Sequence, residues 1–233
     1  MAEQPFLEHL EELRSVLIKS LASVLVLYLP AFFITPYAIR GIIAWSCPPG
    51  MQSFNYFAPM EVFILQLKLA FVLAFAMAFP YILWQGWKFL LPALYEGERK
   101  ALKWWVLAST LLFAAGAAFC FVFILPFVMR FSLSFSSDML KPVIGISSFL
   151  TLAGWMVLAF GVMFQFPLAV MLAVRFGFVN KAQLKHLRPY VFVGILIVAA
   201  FLTPPDVISQ LMLGIPTYIL FELGLFLAKD KAA

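Results

Sequence analysis

Six apolar runs, separated by short polar segments, limit the folds open to this chain. They cover residues 17–39, 62–84, 104–128, 149–174, 191–202 and 208–227. A helix of about 20 apolar residues crosses a bilayer, whereas a membrane β-strand alternates apolar and polar positions over about 10 residues. Because the runs are unbroken and 64% of the chain is hydrophobic, we predict an all-α membrane protein in which residues 1–233 form one integral membrane domain with six transmembrane helices.

The last two runs differ from the others in length or continuity. The fifth has 12 residues, about 18 Å of helix against a hydrocarbon core of about 30 Å. Pro216 and Glu222 interrupt the sixth. We therefore expect two short C-terminal spans that thin the bilayer around them. The alternative is a fifth helix that begins within residues 181–190 and tilts, although Pro189 favours a later start. Further prolines predict kinks at Pro30, Pro36, Pro80, Pro126 and Pro167.

The distribution of Lys and Arg predicts the orientation in the membrane. With a cytosolic N-terminus, 12 of the 16 basic residues fall on the cytosolic side, three fall on the opposite side, and Lys68 lies within the second run. Cytosolic segments normally carry this excess, so we predict that both termini are cytosolic. The same distribution accounts for the net charge of +5 without a nucleic-acid partner. Four acids in the first 17 residues argue against a cleavable signal peptide.

Acidic residues are grouped before the first run, on the face that should be basic. An amphipathic surface helix is predicted at about residues 6–17, continuing into the first span, from the helical spacing of Leu10, Leu13 and Leu17. Its other face carries Glu8, Glu11 and Glu12. Glu11 has Arg14 three residues later, so these two are expected to pair. Glu8 and Glu12 have no Lys or Arg three or four residues away.

The loop between the second and third spans repeats this arrangement. Glu96 has Lys100 four residues later, whereas Glu98 has no basic residue at helical spacing. We interpret Glu98, together with Glu12 or Glu8, as carboxylates open to a cationic partner from outside the chain. The alternative is that these side chains are ordinary solvated charges.

Polar residues within the runs are further candidates, because charge at the centre of a bilayer is costly. Gln165 and Gln210 could hydrogen-bond to neighbouring helices. Lys68 could extend toward the membrane interface, and Glu222 lies near the cytosolic end of the sixth run.

Catalytic or metal-binding groups are not apparent in the sequence. The two histidines, His9 and His186, and the two cysteines, Cys47 and Cys120, show no metal-ligand spacing. No nucleotide-binding motif and no pairing of a nucleophile with a base is found. We therefore predict that the protein is not an enzyme and that it uses no metal or cofactor.

Several motifs, in their order and spacing, point to one family. They are His9-Leu10-Glu11-Glu12-Leu13-Arg14, Pro92-Ala93-Leu94-Tyr95 with Glu98-Arg99, Phe160-Gly161 with Phe164 and Pro167, Arg188-Pro189-Tyr190, and Leu202-Thr203-Pro204-Pro205-Asp206 with Ser209-Gln210. Through these motifs nearly the whole chain resembles the TatC family, the large subunit of the twin-arginine protein translocase. The resemblance implies a cup-shaped protein of six helices in the cytoplasmic (inner) membrane of a prokaryote.

The resemblance also implies a function and partners. Family members bind Arg-Arg signal peptides of folded proteins at the cytosolic face, and export draws on the proton-motive force. They work in oligomeric complexes with the single-span proteins TatA and TatB. By this resemblance, Thr203 and Gln210 would face the membrane helix of those partners.

The resemblance assigns roles to residues at the cytosolic face. Glu12 and Glu98 would receive the arginine pair, while Arg14 and Phe89 would shape the site. A guanidinium binds a carboxylate through paired hydrogen bonds that Lys cannot reproduce, so two carboxylates on separate segments could select two arginines. Gln165 departs from the family, whose members often carry a glutamate there, and this weakens any role for a buried carboxylate in proton movement.

Two other functions stay open from the residues alone. A proton-coupled small-molecule transporter favours two related halves and a charged site at the membrane midplane. This chain offers a faint repeat, Phe79-Pro80 and Phe166-Pro167, and no clear midplane carboxylate. A scaffold for another membrane complex would not need exposed carboxylates.

Overall fold

The computed structural model describes residues 3–47, 54–90, 102–136, 143–175, 177–202 and 207–228, with side chains from residue 10 onward in the first helix. Every regular element in these ranges is a helix, apart from an isolated bridge between Asn55 and Gly145. The prediction of an all-α protein is therefore confirmed. In chain order the helices are α1 (Glu3–Ser46), α2 (Glu61–Leu90), α3 (Leu102–Phe119), a π-helix (Cys120–Ile124), α4 (Leu125–Ser134), α5 (Ile146–Met163), α6 (Phe166–Arg175), α7 (Lys181–His186), α8 (Arg188–Leu202) and α9 (Val207–Leu227).

Five stretches of the described chain are long and apolar enough to cross a membrane. They correspond to most of α1, to α2, to α3 with the π-helix and α4, to α5 with α6, and to α9. The sixth apolar helix, α8, has only 15 residues, about 22 Å of length. Hydropathy thus places an apolar helix at each of the six predicted runs, with the fifth shorter than the others.

The predicted surface helix and the first span form one continuous helix, α1. It has 44 residues, about 66 Å of length, which is roughly twice the hydrocarbon core. Pro30 and Pro36 lie inside it without ending it, since each proline removes only one backbone hydrogen bond. Part of α1 must therefore extend beyond the hydrocarbon core, and its charged N-terminal end is the part suited to water.

Prolines interrupt two other spans. Before Pro126 the helix widens into the π-helix, where the Leu125 N–H donates to the Cys120 carbonyl. Because Pro126 has no N–H of its own, this wider turn reorganises the hydrogen bonds just before it. The fourth span breaks at Phe164 and Gln165, immediately before Pro167.

The helices divide into two compact units, one of residues 1–40 and 58–111 and one of residues 41–57 and 112–233. In the first unit the core between α1 and α2 is built around Val24, Ala31, Ala74 and Ala78. Small side chains let the two helices approach closely, as is common in membrane proteins. The Tyr28 hydroxyl donates to the Leu67 carbonyl at 3.2 Å across this contact.

The second unit has a larger core that joins α3, the π-helix, α5, α8 and α9. Its buried members include Cys120, Met156, Phe160 and Leu213. Two glycines allow α3 and α5 to touch, since a β-carbon on Gly116 would lie 2.5 Å from the Phe160 carbonyl oxygen and one on Gly161 would meet the Phe113 ring. The prediction of one integral membrane domain stays a prediction.

Candidate functional site

The acidic end of α1 presents its charges to the surroundings. Glu11, Glu12 and Arg14 are all exposed. The predicted pairing is wrong, however. Within the described residues no ion pair joins Glu11 to Arg14, and Glu12 takes part in a polar interaction within the chain. The availability of Glu12 to a partner therefore rests on its exposure, because an exposed polar contact is easily exchanged.

Helix geometry separates Glu12 from Arg14. Residues two apart on an α-helix point in directions about 200° apart, whereas Glu11 and Arg14 lie on neighbouring directions. Glu12 and Arg14 therefore point to nearly opposite sides of α1.

The first unit brings the N-terminal part of α1 to the end of α2. The centroids of the Phe32 and Phe63 rings lie 6.5 Å apart, and the Tyr28 hydroxyl hydrogen-bonds to the Leu67 carbonyl. A step of four residues toward the start of α1 therefore corresponds to a step of four residues toward the end of α2. The two helices are antiparallel. Continued at this pitch, Glu12 lies level with residue 83, about two turns before the end of α2. Phe89 occupies the final turn, where it is half-buried and makes a ring or polar contact within the chain.

An aromatic contact holds the ends of α2 and α3 together. The buried Trp87 lies on α2, three residues before its end, and its ring is 5.6 Å from the ring of Trp105 on the first turn of α3. The end of α2 and the start of α3 therefore lie next to each other. The segment between them contains Glu98, which lies outside the described residues. The end of α2 and the start of α3, which flank that segment, thus lie about two turns beyond the level of Glu12.

Thr203 and Gln210 are the two residues expected to face partner helices, and the structure describes only Gln210. Thr203 lies outside the described residues. Gln210, on the first turn of α9, is half-buried, and its Nε2 donates to the Leu196 carbonyl of α8 at 3.0 Å. Its side chain therefore joins α8 to α9 while keeping part of its surface exposed.

The other polar residues within spans have ordinary contacts. Lys68 is exposed on α2. Gln165 lies in the break between α5 and α6, with Nε2 3.5 Å from the Gly161 carbonyl and another interaction within the chain. In the described part of the chain, no group of three or more metal-ligating side chains is found.

Sequence reasoning missed one ion pair. Arg188 at the start of α8 donates from Nη2 to Oε2 of Glu222 near the end of α9 at 2.7 Å. In the sequence, Arg188 belongs to a family motif and Glu222 lies near the end of a span, and neither observation indicates that the two side chains form a pair. Opposite charges at the matching ends of consecutive antiparallel helices were the signal that could have found the pair.

These features define a class of protein: a polytopic α-helical membrane protein with an exposed acidic end to its first helix. The family model described as Sec-independent protein translocase protein (TatC) matches residues 8–216. The chain belongs to the TatC family.

Relatives of known function support this assignment along almost the full length. The chain is 34% identical to the Sec-independent protein translocase protein TatC of Azotobacter chroococcum mcd 1, over 96% of this chain and 89% of that protein. It is 33% identical to TatC of Escherichia coli K12, over 97% of this chain and 88% of the relative. It is 32% identical to TatCy of Bacillus subtilis strain 168, over 97% of this chain and 89% of the relative.

Two crystal structures share the fold. One, of the twin arginine translocase receptor TatC in DDM, gives a TM-score of 0.87 at 29% identity, covering 95% of this chain and 99% of the other. A second, of the same receptor, gives 0.83 at 29% identity, covering 94% and 96%. The chain is thus a membrane-embedded subunit of the Sec-independent (Tat) protein translocase, a transport component rather than an enzyme, and it works in a complex with other Tat components.

Proposed function

We propose that this protein is the receptor subunit that binds Arg-Arg signal peptides of folded proteins. The observation that carries the proposal is the position of Glu12, which is exposed and lies about two turns from the level at which α2 ends and the segment carrying Glu98 begins. The similar crystal structures are of a twin arginine translocase receptor. In our proposal Glu12 and Glu98 each bind one arginine of the pair, with Phe89 bordering the site and Arg14 at its edge.

The chemistry of the ligand suits two separated carboxylates. A guanidinium presents parallel N–H groups that match both oxygens of a carboxylate, whereas an ammonium group acts as a point charge. Two such pairs favour Arg-Arg over Lys-Lys. Each exposed ion pair contributes only about 0–1 kcal/mol, so the apolar part of the signal peptide must supply much of the affinity by contact with the membrane and the apolar helices.

The orientation and the partners belong to the same proposal. Both termini face the cytosol of a prokaryotic cell, because the excess of Lys and Arg lies on the side of the N-terminus. The acidic end of the first unit then meets signal peptides before export. Single-span partners of the TatA and TatB type bind along α9 near Thr203 and Gln210, in an oligomeric complex that is driven by the proton-motive force.

Binding of a synthetic twin-arginine signal peptide to the purified full-length protein in nanodiscs tests the proposal. Glu12→Gln and Glu98→Gln should each weaken binding about fivefold, the factor that corresponds to about 1 kcal/mol. Glu11→Gln is the matched control, since Glu11 is an exposed neighbour on a different side of α1. A Lys-Lys peptide should bind the native protein more weakly than the Arg-Arg peptide. Equal affinity of all three variants and both peptides would refute the proposal.

A further inference from the structure

The start of α8 is tied to the end of α9 by a polar network. Glu222 accepts two hydrogen bonds, one at Oε2 from Arg188 Nη2 at 2.7 Å and one at Oε1 from the Tyr218 hydroxyl at 3.1 Å. The side chains of Arg188 and Glu222 are 43% and 32% exposed. The Nε atom of Arg188 is buried and has no hydrogen-bond partner among the described atoms. The pair is thus partly withdrawn from water, where a charge left without its partner is costly.

A second contact ties α7 to the same end of α9. Lys181 Nζ donates to the Ala228 carbonyl at 2.9 Å and lies 3.4 Å from the Phe226 carbonyl. These are carbonyls at the C-terminus of a helix, where they lack helical donors and carry partial negative charge. Lys181 begins α7, and the preceding Asn180 N–H donates to Gln183 Oε1 at 2.9 Å. The short helix is therefore capped at its start and fixed to the end of α9.

The break between α7 and α8 determines how long the fifth span can be. A continuous helix over residues 181–202 would be about 33 Å long, enough to cross a hydrocarbon core of about 30 Å. The chain instead turns at Leu187, and α8 runs only from Arg188 to Leu202. Pro189 disfavours a helical conformation at the residue before it and removes one backbone donor. Proline alone, however, does not prevent α8 from sliding along α9.

We propose that Arg188, Glu222 and Lys181 form a brace that fixes where α8 begins relative to α9. A helix shorter than the bilayer can relieve the mismatch by sliding, by recruiting neighbouring residues or by thinning the lipid around it. The brace prevents α8 from sliding and from recruiting neighbouring residues, because either change would separate Arg188 from Glu222 or Lys181 from the end of α9. The short fifth span then acts on the lipid as a fixed part of the scaffold. These three are positioning residues, and none needs to contact a signal peptide.

The register between α8 and α9 can be measured directly by disulfide formation. The β-carbon of a residue at position 214 would lie 4.0 Å from Leu196 Cγ, so cysteines at positions 196 and 214 are within reach of a disulfide when the register is native. The test uses full-length protein with Leu196→Cys and Gly214→Cys in a Cys47→Ser background. Cys120 is buried in the core cluster that also contains Leu213, so it is replaced by Ala in the same background. Cross-linking rates are compared in liposomes of short-chain and long-chain phosphatidylcholine.

With the brace intact, the rate should be the same in thin and thick bilayers. In Glu222→Gln and in Lys181→Gln it should fall about fivefold in thick bilayers, the factor that matches about 1 kcal/mol, and change little in thin ones. Lys185→Gln is the matched control, because it removes an exposed charge of α7. The double variant Arg188→Glu, Glu222→Arg should restore the rate. Lys181→Gln serves alone if Glu222→Gln does not fold.

The proposal is overturned if Glu222→Gln or Lys181→Gln keeps the native rate in thick bilayers. It is equally overturned if the rate falls to the same extent in thin and thick bilayers, since that result describes general loosening of the fold. Because no signal peptide takes part in this measurement, its outcome is independent of the proposed receptor function.

Discussion

Gly224 of α9 lies against Pro167 of α6 so closely that a β-carbon on the glycine would stand 2.7 Å from the Pro167 Cα and 2.9 Å from its carbonyl oxygen. The contact joins α9 to the helix that follows the break in the fourth span. Its obstacle is backbone, which cannot rotate away as a side chain can. Gly224 is therefore required by the packing of two helices and not by a turn.

Replacing Gly224 by Ala should destabilise the protein by about 1–3 kcal/mol, because overpacking forces one helix away from the other. Thermal unfolding in detergent, followed by loss of monodispersity or by intrinsic fluorescence, measures the effect. Gly194→Ala on α8 is the control, since a β-carbon there would meet no atom within 4 Å. That variant should be neutral or slightly more stable, as Ala is a better helix former than Gly. Equal unfolding temperatures for the two variants would contradict the described packing.

Trp87→Leu should weaken the binding of a twin-arginine peptide although Trp87 is not expected to touch it. The Trp87–Trp105 contact holds together the ends of the segment that carries Glu98, and an aromatic pair is worth about 0.5–1.5 kcal/mol beyond its buried area. Losing it should lower affinity severalfold by allowing the two carboxylates to separate. Peptide titration measures this change.

Trp104→Leu is the control for that substitution, because Trp104 is the adjacent residue and is exposed. It should bind peptide as the native protein does. If both tryptophan variants lose affinity equally, a general effect on the membrane interface is responsible rather than the pairing of the helix ends.

Peptide affinity should depend on salt through Glu12 and Glu98. The screening length falls from about 30 Å at 0.01 M to about 3 Å at 1 M ionic strength, and exposed ion pairs weaken accordingly. We expect the affinity for an Arg-Arg peptide to fall up to about thirtyfold over this range, the factor that corresponds to about 2 kcal/mol for two pairs. Glu12→Gln should show a shallower dependence. A salt dependence unchanged by this substitution would remove Glu12 from the site.

Hydropathy was sufficient to predict the helical class, because each apolar run is too long and too uniform for any other membrane structure. It could not predict that α1 continues through Pro30 and Pro36, since a proline marks a possible break without deciding whether surrounding contacts sustain the helix. The π-helix at Cys120–Ile124 was missed for the same reason.

Charge pairing was predicted less well than helices. Spacing along one helix favoured Glu11 with Arg14, but such pairs are worth only about 0.2–0.5 kcal/mol and are readily exchanged for water. The stronger pair, Arg188 with Glu222, joins residues 34 positions apart. Its discovery required the antiparallel arrangement of α8 and α9, which local spacing cannot supply. Long-range pairs in partly buried positions can therefore be predicted only after the arrangement of the helices is known.

Lengthening α8 should separate peptide binding from transport. Inserting about five leucines in the middle of the helix would bring it from about 22 Å to about 30 Å, which removes its mismatch with the hydrocarbon core. Because Glu12 and Glu98 belong to the other unit, peptide affinity should stay unchanged. Export of a folded reporter should fall strongly if a thinned bilayer eases its passage. The control replaces the exposed Val193, Ile197 and Val198 by leucine, which keeps the length and the apolar character of α8. Native export by the lengthened protein would show that the short fifth span is not needed for translocation, whatever holds it in place.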